Sequence, residues 1–342
     1  MNGFHTTIFA YGCTGSGKTH TITGSKQNPG LIPRCVDLIF ERLAGENIGI
    51  GILFVTYVEL HNNSFYDLLA KENKGGIEIR EAEGRGVYLS GVERMQVGNP
   101  AEVHKLIENG NEFRATSATL LNERSSRSHA ILTLEMETMS GGEDNEKVRM
   151  GKLNIVDLAG SERVQMSGVV GEALAEASAI NASLSALGDV LNSLSKMHRG
   201  SATPKKKAQY VPFRNSKLTH VLKDSLGGSC KTIMIATIRP GSAFYGQTLS
   251  TLRYASRARD IKNMPMRHSD GTGGEAKLAE AYRQINELRE QLMGRGKEFD
   301  QLKNDPNTGS PESQRRLRGL QQKVRQMRQL PTSVSSIIAT FF

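Results

Sequence analysis

Two kinds of hydrophobic pattern alternate along the first 263 residues of the chain. Short apolar runs rich in β-branched residues, typical of buried strands, occupy residues 6–12, 50–60, 130–137, 152–160 and 232–238. Helical patterns and glycine-rich turns separate these runs. We therefore predict an α/β fold in which helices cover both faces of a central sheet, and we expect residues 6–12 to form a buried parallel strand.

One helical pattern is especially regular. Apolar residues recur every three or four positions in residues 177–194, which predicts a helix with one buried stripe and a polar face that is free to meet a partner. The stripe consists of Ala177, Ile180, Leu184, Leu187, Leu191 and Leu194.

The pattern changes after residue 263. Residues 264–274 contain no periodic segment and are predicted to form a linker. In residues 275–303 apolar side chains again recur at spacings of three and four, which predicts either a short coiled coil joining two copies of the chain or an amphipathic helix packed back on the domain. Residues 304–342 are expected to form a basic helical segment and a tail.

Composition narrows the class of partner. The chain has 342 residues and a formal net charge of +9, which suits an acidic polymer or an acidic protein surface. It has no tryptophan, and aromatic residues do not alternate with basic ones, which argues against nucleic acid as the partner. Three widely separated cysteines and the absence of a run of about 18 apolar residues predict a reduced, intracellular protein without a membrane span.

A phosphate-binding loop follows the first apolar run. Residues 12–19, GCTGSGKT, fit the spacing Gly-x-x-x-x-Gly-Lys-Thr. In such a loop the backbone N–H groups turn toward phosphate oxygens, the lysine reaches the β- and γ-phosphates, and the threonine binds magnesium. A flexible glycine turn would explain Gly15 and Gly17, but it would not explain Lys18 and Thr19. The loop therefore predicts that the chain binds a nucleoside triphosphate.

Two further segments supply groups that could sense the γ-phosphate. In residues 122–129, NERSSRSH, hydroxyl groups beside an arginine could bind magnesium, orient a water molecule and carry a movable charge. Residues 154–162, NIVDLAGSE, combine the end of a strand at Asp157, where a carboxylate on the magnesium side belongs, with Gly160, whose N–H could meet the γ-phosphate. Serine-rich loops and Asp-x-x-Gly turns are each common, so the argument depends on their combination.

Together these segments resemble the kinesin motor domain. The resemblance extends to residues 58–69 (VELHNNSFYDLL), 180–194 (INASLSALGDVLNSL), 210–228 (YVPFRNSKLTHVLKDSLGG) and 248–263 (TLSTLRYASRARDIKN). It implies a P-loop NTPase fold with a central sheet flanked by helices, followed by a helical extension. It also implies an ATP- and Mg²⁺-dependent, microtubule-stimulated motor of the cytoplasmic cytoskeleton, with its motor N-terminal to its stalk.

The resemblance assigns roles to individual residues. Nucleotide contacts are implied for Gly12, Cys13, Thr14, Gly15, Ser16, Gly17, Lys18, Thr19 and His20, with the His20 ring on the adenine unless His20 is a surface histidine. Magnesium contacts are implied for Thr19, for Ser126 and, through water, for Asp157. Implied in catalysis are Ser125 on the attacking water, Gly160 as γ-phosphate sensor, and an Arg127–Glu162 ion pair whose glutamate accepts the proton. Asn181 would be the pivot that transmits this state to the following helix.

A basic cluster lies where the resemblance implies the surface that binds the microtubule, the track of the motor. Residues 196–231 contain nine Lys or Arg and one acid. Such a cluster is often only a solvated face, but by resemblance it corresponds to the microtubule-binding surface. The contacts implied are Lys205, Lys206, Lys207, Arg214 and Lys217.

The chain departs from the family at its start. Kinesin motors carry a longer segment before the phosphate loop, with a central strand and an Arg-x-Arg-Pro stretch that borders the adenine. We expect a fragment of a longer motor, because every γ-phosphate-sensing residue is present. The alternative is a non-motile microtubule-binding module or adaptor with impaired ATP turnover. A generic P-loop GTPase or nucleic-acid ATPase is disfavoured, because no guanine-selecting Asn-Lys-x-Asp follows the loop and both γ-phosphate-sensing segments resemble those of kinesin.

Overall fold

All five apolar runs form strands of one sheet. The computed structural model describes residues 3–45, 51–70, 76–82, 85–116, 126–140, 147–162, 172–199 and 210–267. The strands in these ranges are β1 (His5–Tyr11), β2 (Gly51–His61), β3 (Ser64–Asp67), β4 (Glu78–Ala82), β5 (Gly86–Ser90), β6 (Met95–Val97), β7 (His129–Ser140), β8 (Lys147–Asp157) and β9 (Lys231–Ala236). The helices are α1 (Lys18–Ile22), α2 (Leu31–Gly45), α3 (Pro100–Thr116), α4 (Glu172–Arg199), α5 (Lys217–Val221) and α6 (Tyr245–Arg259).

The central sheet is mixed. Its strand order is β3-β2-β7-β8-β1-β9, with β6 paired to β2. Strand β1 is parallel to both neighbours, as predicted, whereas β2, β7 and β8 pair antiparallel. A two-residue turn with positive φ at Asn62 and Asn63 joins β2 to β3, which is the backbone that tight hairpins require.

The register of the parallel strands determines where chemistry can occur. Ala10 of β1 lies opposite Asp157 of β8, and Tyr11 lies opposite Ala236 of β9. Because parallel strands end at the same edge, the loop after β1 and the turn after β8 meet there. This edge is the usual ligand site of open α/β sheets.

Apolar side chains form a core on each face of the sheet, as predicted. Alternate β1 residues face opposite ways: Phe9 packs toward α4, α5 and α6, whereas Ala10 packs toward α2 and α3. The predicted stripe of α4 is confirmed at the positions whose side chains are described, with Leu187 fully buried. Ala177 lies outside that set. None of the helices in the described ranges is long and apolar enough to cross a bilayer.

A small hairpin, β4–β5, stands apart from the central sheet and was not predicted. The Val87 N–H donates to Asp224 Oδ2 (2.6 Å), and Lys152 Nζ donates to the Val87 carbonyl (3.1 Å). These two contacts hold the hairpin against the turn that follows α5 and against β8. Strand β4 is mostly exposed and polar, and β5 has only five residues, so neither strand carries a clear hydrophobic periodicity.

Several predictions concern parts of the chain beyond the described ranges. The coiled-coil or amphipathic segment, the basic tail and most of the linker are among them, and the domain boundaries stay a prediction. Among the described strands, β9 pairs on one side only, and Ile233 is 52% exposed there. An edge strand presents backbone N–H and C=O groups that can pair with a further strand. The central strand expected in a longer segment before the phosphate loop stays a prediction.

Candidate functional site

The phosphate-binding loop turns sharply between β1 and α1. Gly17 has a φ of 94° and caps the N-terminus of α1, a conformation that L side chains rarely adopt. At Gly12 a Cβ atom would collide with the backbone carbonyl of Thr237, just beyond β9. The Ser16 hydroxyl bonds to the Cys13 carbonyl (2.7 Å) and contacts Thr237 Oγ1 (2.7 Å), which closes the loop on itself.

Lys18 is a buried cation at the bottom of this loop. Its ammonium donates to the carbonyls of Gly12 (2.9 Å) and Cys13 (3.0 Å). Burial lowers the pKa of Lys18, while the carboxylates of Asp157 and Glu162 oppose that shift. A buried ammonium held by neutral carbonyls is stabilised further by an anion, so the loop suits a phosphate group.

Asp157 and Thr19 form the part of the site that suits a cation. The Thr19 hydroxyl donates to Asp157 Oδ2 (2.7 Å), whereas Asp157 Oδ1 is buried and makes no hydrogen bond. Burial raises the pKa of Asp157, and Arg114 opposes the shift. A hydroxyl beside a carboxylate with one unsatisfied oxygen fits magnesium, which keeps several waters and takes few protein ligands. The described residues contain no cluster of three or more His, Cys, Asp or Glu able to hold a metal.

The two segments predicted to sense the γ-phosphate, residues 122–129 and 154–162, meet at the loop. We call them the switch segments. The Gly160 N–H donates to the Ser126 carbonyl (2.9 Å), and the Ser161 N–H donates to the Gly12 carbonyl (3.0 Å). Because the Gly160 N–H is already bonded, it contacts a γ-phosphate only if this turn rearranges. A Cβ atom on Gly160 would come too close to the side-chain oxygens of Thr14 and Glu162, so a larger residue here would displace the Glu162 carboxylate from Thr14.

Glu162 contacts the loop directly. Its carboxylate accepts from the Thr14 N–H (2.8 Å) and from the Thr14 hydroxyl. Arg127 lies in the opposing switch segment, and its pairing with Glu162 stays a prediction. Ser125 lies outside the described residues. His20 is exposed on α1, so both alternatives for it remain open.

Arg114 is a site residue that the sequence did not indicate. It is buried on α3, and its guanidinium contacts Glu59 Oε1 (3.3 Å), the Ser128 carbonyl (3.1 Å) and Asp157 Oδ2 (3.7 Å). It thereby joins β2, the start of β7 and the end of β8. No signal marks it in the sequence, because it lies in a polar helical stretch far from its partners.

His129 was also missed, although it ends the serine-rich motif. Its Nδ1 accepts from the Ala159 N–H (3.0 Å), and its Nε2 contacts Ser183 Oγ on α4 (2.9 Å). Burial lowers the pKa of His129 to about 3, and the positive charges of Arg114 and Lys18 add to that effect. The ring is therefore neutral at physiological pH.

The predicted track-binding residues are described in part. Arg214 is exposed in a short 3-10 turn, and Lys217 begins α5, whose N-terminus is capped by Ser216. Lys205, Lys206 and Lys207 lie outside the described residues.

An acidic residue of the β4–β5 hairpin faces this basic surface. Glu81 accepts from His220 (3.0 Å) and Lys223 (2.6 Å), and these hydrogen bonds lower the pKa of Glu81. Arg214 is 3.9 Å from the same carboxylate. The basic surface is therefore partly neutralised from within the chain.

Comparisons with known proteins agree with this architecture. The family model described as the kinesin motor domain matches residues 1–261. Kinesin-like protein K39 of Leishmania chagasi is 43% identical over 319 residues, which cover 86% of this chain and 33% of that protein. The chain thus spans about a third of the length of this relative.

Two solved structures share the fold. One is a fast kinesin, studied for its ATPase mechanism and interactions with microtubules, with a TM-score of 0.69 and 38% identity over 80% of this chain and 75% of that one. The other is a KIF14 dimer in a two-heads-bound state with AMP-PNP on a microtubule, with a TM-score of 0.70 and 37% identity over 81% and 77% of the two chains.

Proposed function

Because the chain belongs to the kinesin motor domain family, we propose that it is a microtubule-stimulated ATPase that couples ATP hydrolysis to movement along microtubules. The family consists of microtubule-associated motors that bind ATP with Mg²⁺. The observation that carries the proposal is the meeting of both switch segments at the phosphate loop, through the Gly160–Ser126 and Ser161–Gly12 hydrogen bonds. Such contacts connect the loop to segments that can respond to the γ-phosphate.

We assign a role in ATP hydrolysis to each of these residues at the carboxyl end of the parallel strands. Lys18 would hold the β- and γ-phosphates, and Thr19, Ser126 and Asp157 would hold magnesium, which neutralises charge that develops on the phosphoryl group. Ser125 would orient the attacking water. Phosphoryl transfer requires mainly positioning and charge stabilisation from the protein, and a buried lysine beside a fixed hydroxyl–carboxylate pair supplies both.

Glu162 would receive the proton of the attacking water. A cavity of about 420 Å³ adjoins its carboxylate and is lined by polar groups that include Ser161, Asn181 and Gln247. That volume holds several water molecules, each of which occupies about 30 Å³ in the liquid. The cavity therefore has the space and the polar partners for water beside Glu162, which could take the proton onward.

Track binding would use basic groups, of which Arg214 is exposed beside α5 and Lys217 is half-buried at the start of α5. We assign Arg214 and Lys217 to this surface, together with Lys205, Lys206 and Lys207. Exposed charges such as Arg214 form weak ion pairs that salt screens, and they mainly accelerate encounter with an acidic surface. The proposal places the protein on the microtubule cytoskeleton of the cytoplasm, with a coiled coil in residues 275–303 as a further proposal for dimer formation.

ATP turnover by the 342-residue chain, with and without microtubules, tests the proposal. Glu162→Ala removes the proton acceptor, and Glu102→Ala, an exposed acid in the first turn of α3, serves as the matched control. We expect microtubule stimulation in the wild type and in Glu102→Ala, and its loss in Glu162→Ala. Microtubule binding without any turnover would refute the motor and support a non-motile binding module.

A further inference from the structure

His129 links three elements through hydrogen bonds of fixed direction. The Ala159 backbone N–H can only donate, so the His129 Nδ1 that receives it (3.0 Å) carries no proton. The Ser183 hydroxyl donates its proton to the Ile180 carbonyl (2.8 Å), so its oxygen accepts from His129 Nε2–H (2.9 Å). The ring is therefore the neutral Nε2–H tautomer, bonded at both ends.

The His129 ring is held in a fixed position, so a displacement at one of its hydrogen bonds affects the other. His129 begins β7, where its backbone pairs with Leu60 of β2, and the next residue pairs with Asp157 of β8. The backbone of His129 is thus fixed in the sheet, and the ring is fully buried. Both nitrogens belong to one rigid ring, so movement at Ala159 either turns the ring against Ser183 or breaks a hydrogen bond.

The two hydrogen bonds of the ring connect the proposed nucleotide site with the proposed track-facing helix. Ala159 immediately precedes Gly160, the proposed γ-phosphate sensor, and Ser183 lies on α4, the proposed track-facing helix. Building on the proposed function, we propose that His129 is a positioning residue that passes the state of the 157–160 turn to α4 through its bonds to Ala159 and Ser183. Spatial adjacency alone does not demonstrate coupling, and the test therefore breaks each bond separately.

Two substitutions cut the link at different points. In His129→Asn the amide oxygen can still accept from Ala159, but the shorter side chain does not reach Ser183. Ser183→Ala removes the other partner and favours the helix, because alanine is the best helix former. Thr133→Val is the matched control, since it removes a β7 side-chain hydrogen bond to Asn154 of β8 (2.9 Å), a bond in which no α4 residue takes part.

The first readout is the ratio of microtubule dissociation constants in ADP and in the non-hydrolysable analogue AMP-PNP. We expect a wild-type ratio of about fivefold or more, the lower range of measured couplings. The ratio should fall below about twofold in His129→Asn, in Ser183→Ala and in their double variant, while Thr133→Val keeps the wild-type ratio. Because a serial link can be broken only once, the double variant should lose no more than either single variant.

The second readout needs no microtubule. Amide hydrogen exchange of α4 is measured with ADP and with AMP-PNP, and the nucleotide-dependent difference should vanish in the same variants. A wild-type chain that does not bind microtubules but shows this difference refutes the proposed function and leaves the inference standing. Wild-type ratios in the variants, additive losses in the double variant, or an α4 that exchanges identically in both nucleotides in the wild type would overturn the inference.

Discussion

Acid should destabilise this protein through His129 in particular. The ordinary pKa of a histidine is 6.5, and burial lowers the pKa of His129 to about 3. Between these two values the unfolded chain binds a proton that the folded chain excludes. The stabilisation that His129 contributes is therefore complete above pH 6.5 and is lost as the pH falls toward 3.

The size of the effect follows from the two pKa values. Their difference, 6.5 − 3, is about 3.5, which corresponds to about 5 kcal/mol below pH 3 at 1.36 kcal/mol for each pH unit. Between pH 7 and pH 5 the unfolded histidine becomes almost fully protonated while the folded one does not, which costs about 2 kcal/mol. That loss is a large fraction of the 5–15 kcal/mol by which domains are usually stable.

Urea unfolding at pH 5, 6, 7 and 8 measures this loss. The chain has no tryptophan, so far-UV circular dichroism is the suitable probe. The stability advantage of the wild type over His129→Asn should shrink by about 2 kcal/mol from pH 7 to pH 5. His104→Asn, which alters a half-exposed histidine bonded to Asp37, controls for general acid effects. Parallel pH profiles for the wild type and His129→Asn would refute the idea that this ring is held neutral.

Three further predictions concern other contacts. Arg114→Met should lower the free energy of unfolding by about 3–5 kcal/mol, because the buried Glu59 carboxylate loses its ion pair with Arg114; a loss below about 1 kcal/mol in urea unfolding would contradict this. Leu187→Ala should cost about 2–5 kcal/mol, whereas Leu252→Ala, at a half-exposed position, should cost much less in the same assay. Arg214→Ala should weaken microtubule co-sedimentation at low salt and reduce its salt dependence, and an unchanged salt profile would remove Arg214 from the track surface.

Local patterns are most informative where the residues of the candidate site are contiguous in sequence. The phosphate loop and the turn after β8 each need particular residues at fixed spacings, and the register of Ala10 against Asp157 brings them together. The periodicity of α4 likewise predicted its buried face, because a helix on a sheet must bury one apolar stripe. The assignments of individual residues to nucleotide, magnesium and track stay proposals.

The sequence by itself determined five strands of the central sheet, the phosphate-binding loop and the family resemblance, since these depend on residue types at short spacings along the chain. Only the tertiary structure decided that β2, β7 and β8 pair antiparallel, that the β4–β5 hairpin lies against Asp224, and that Arg114 and His129 join separate elements. The physical reason is that these contacts connect residues far apart in the chain. Burial increases the free energy that is lost when such a hydrogen bond or ion pair is broken. Neither burial of a polar group nor a distant partner leaves a periodic signal in the sequence.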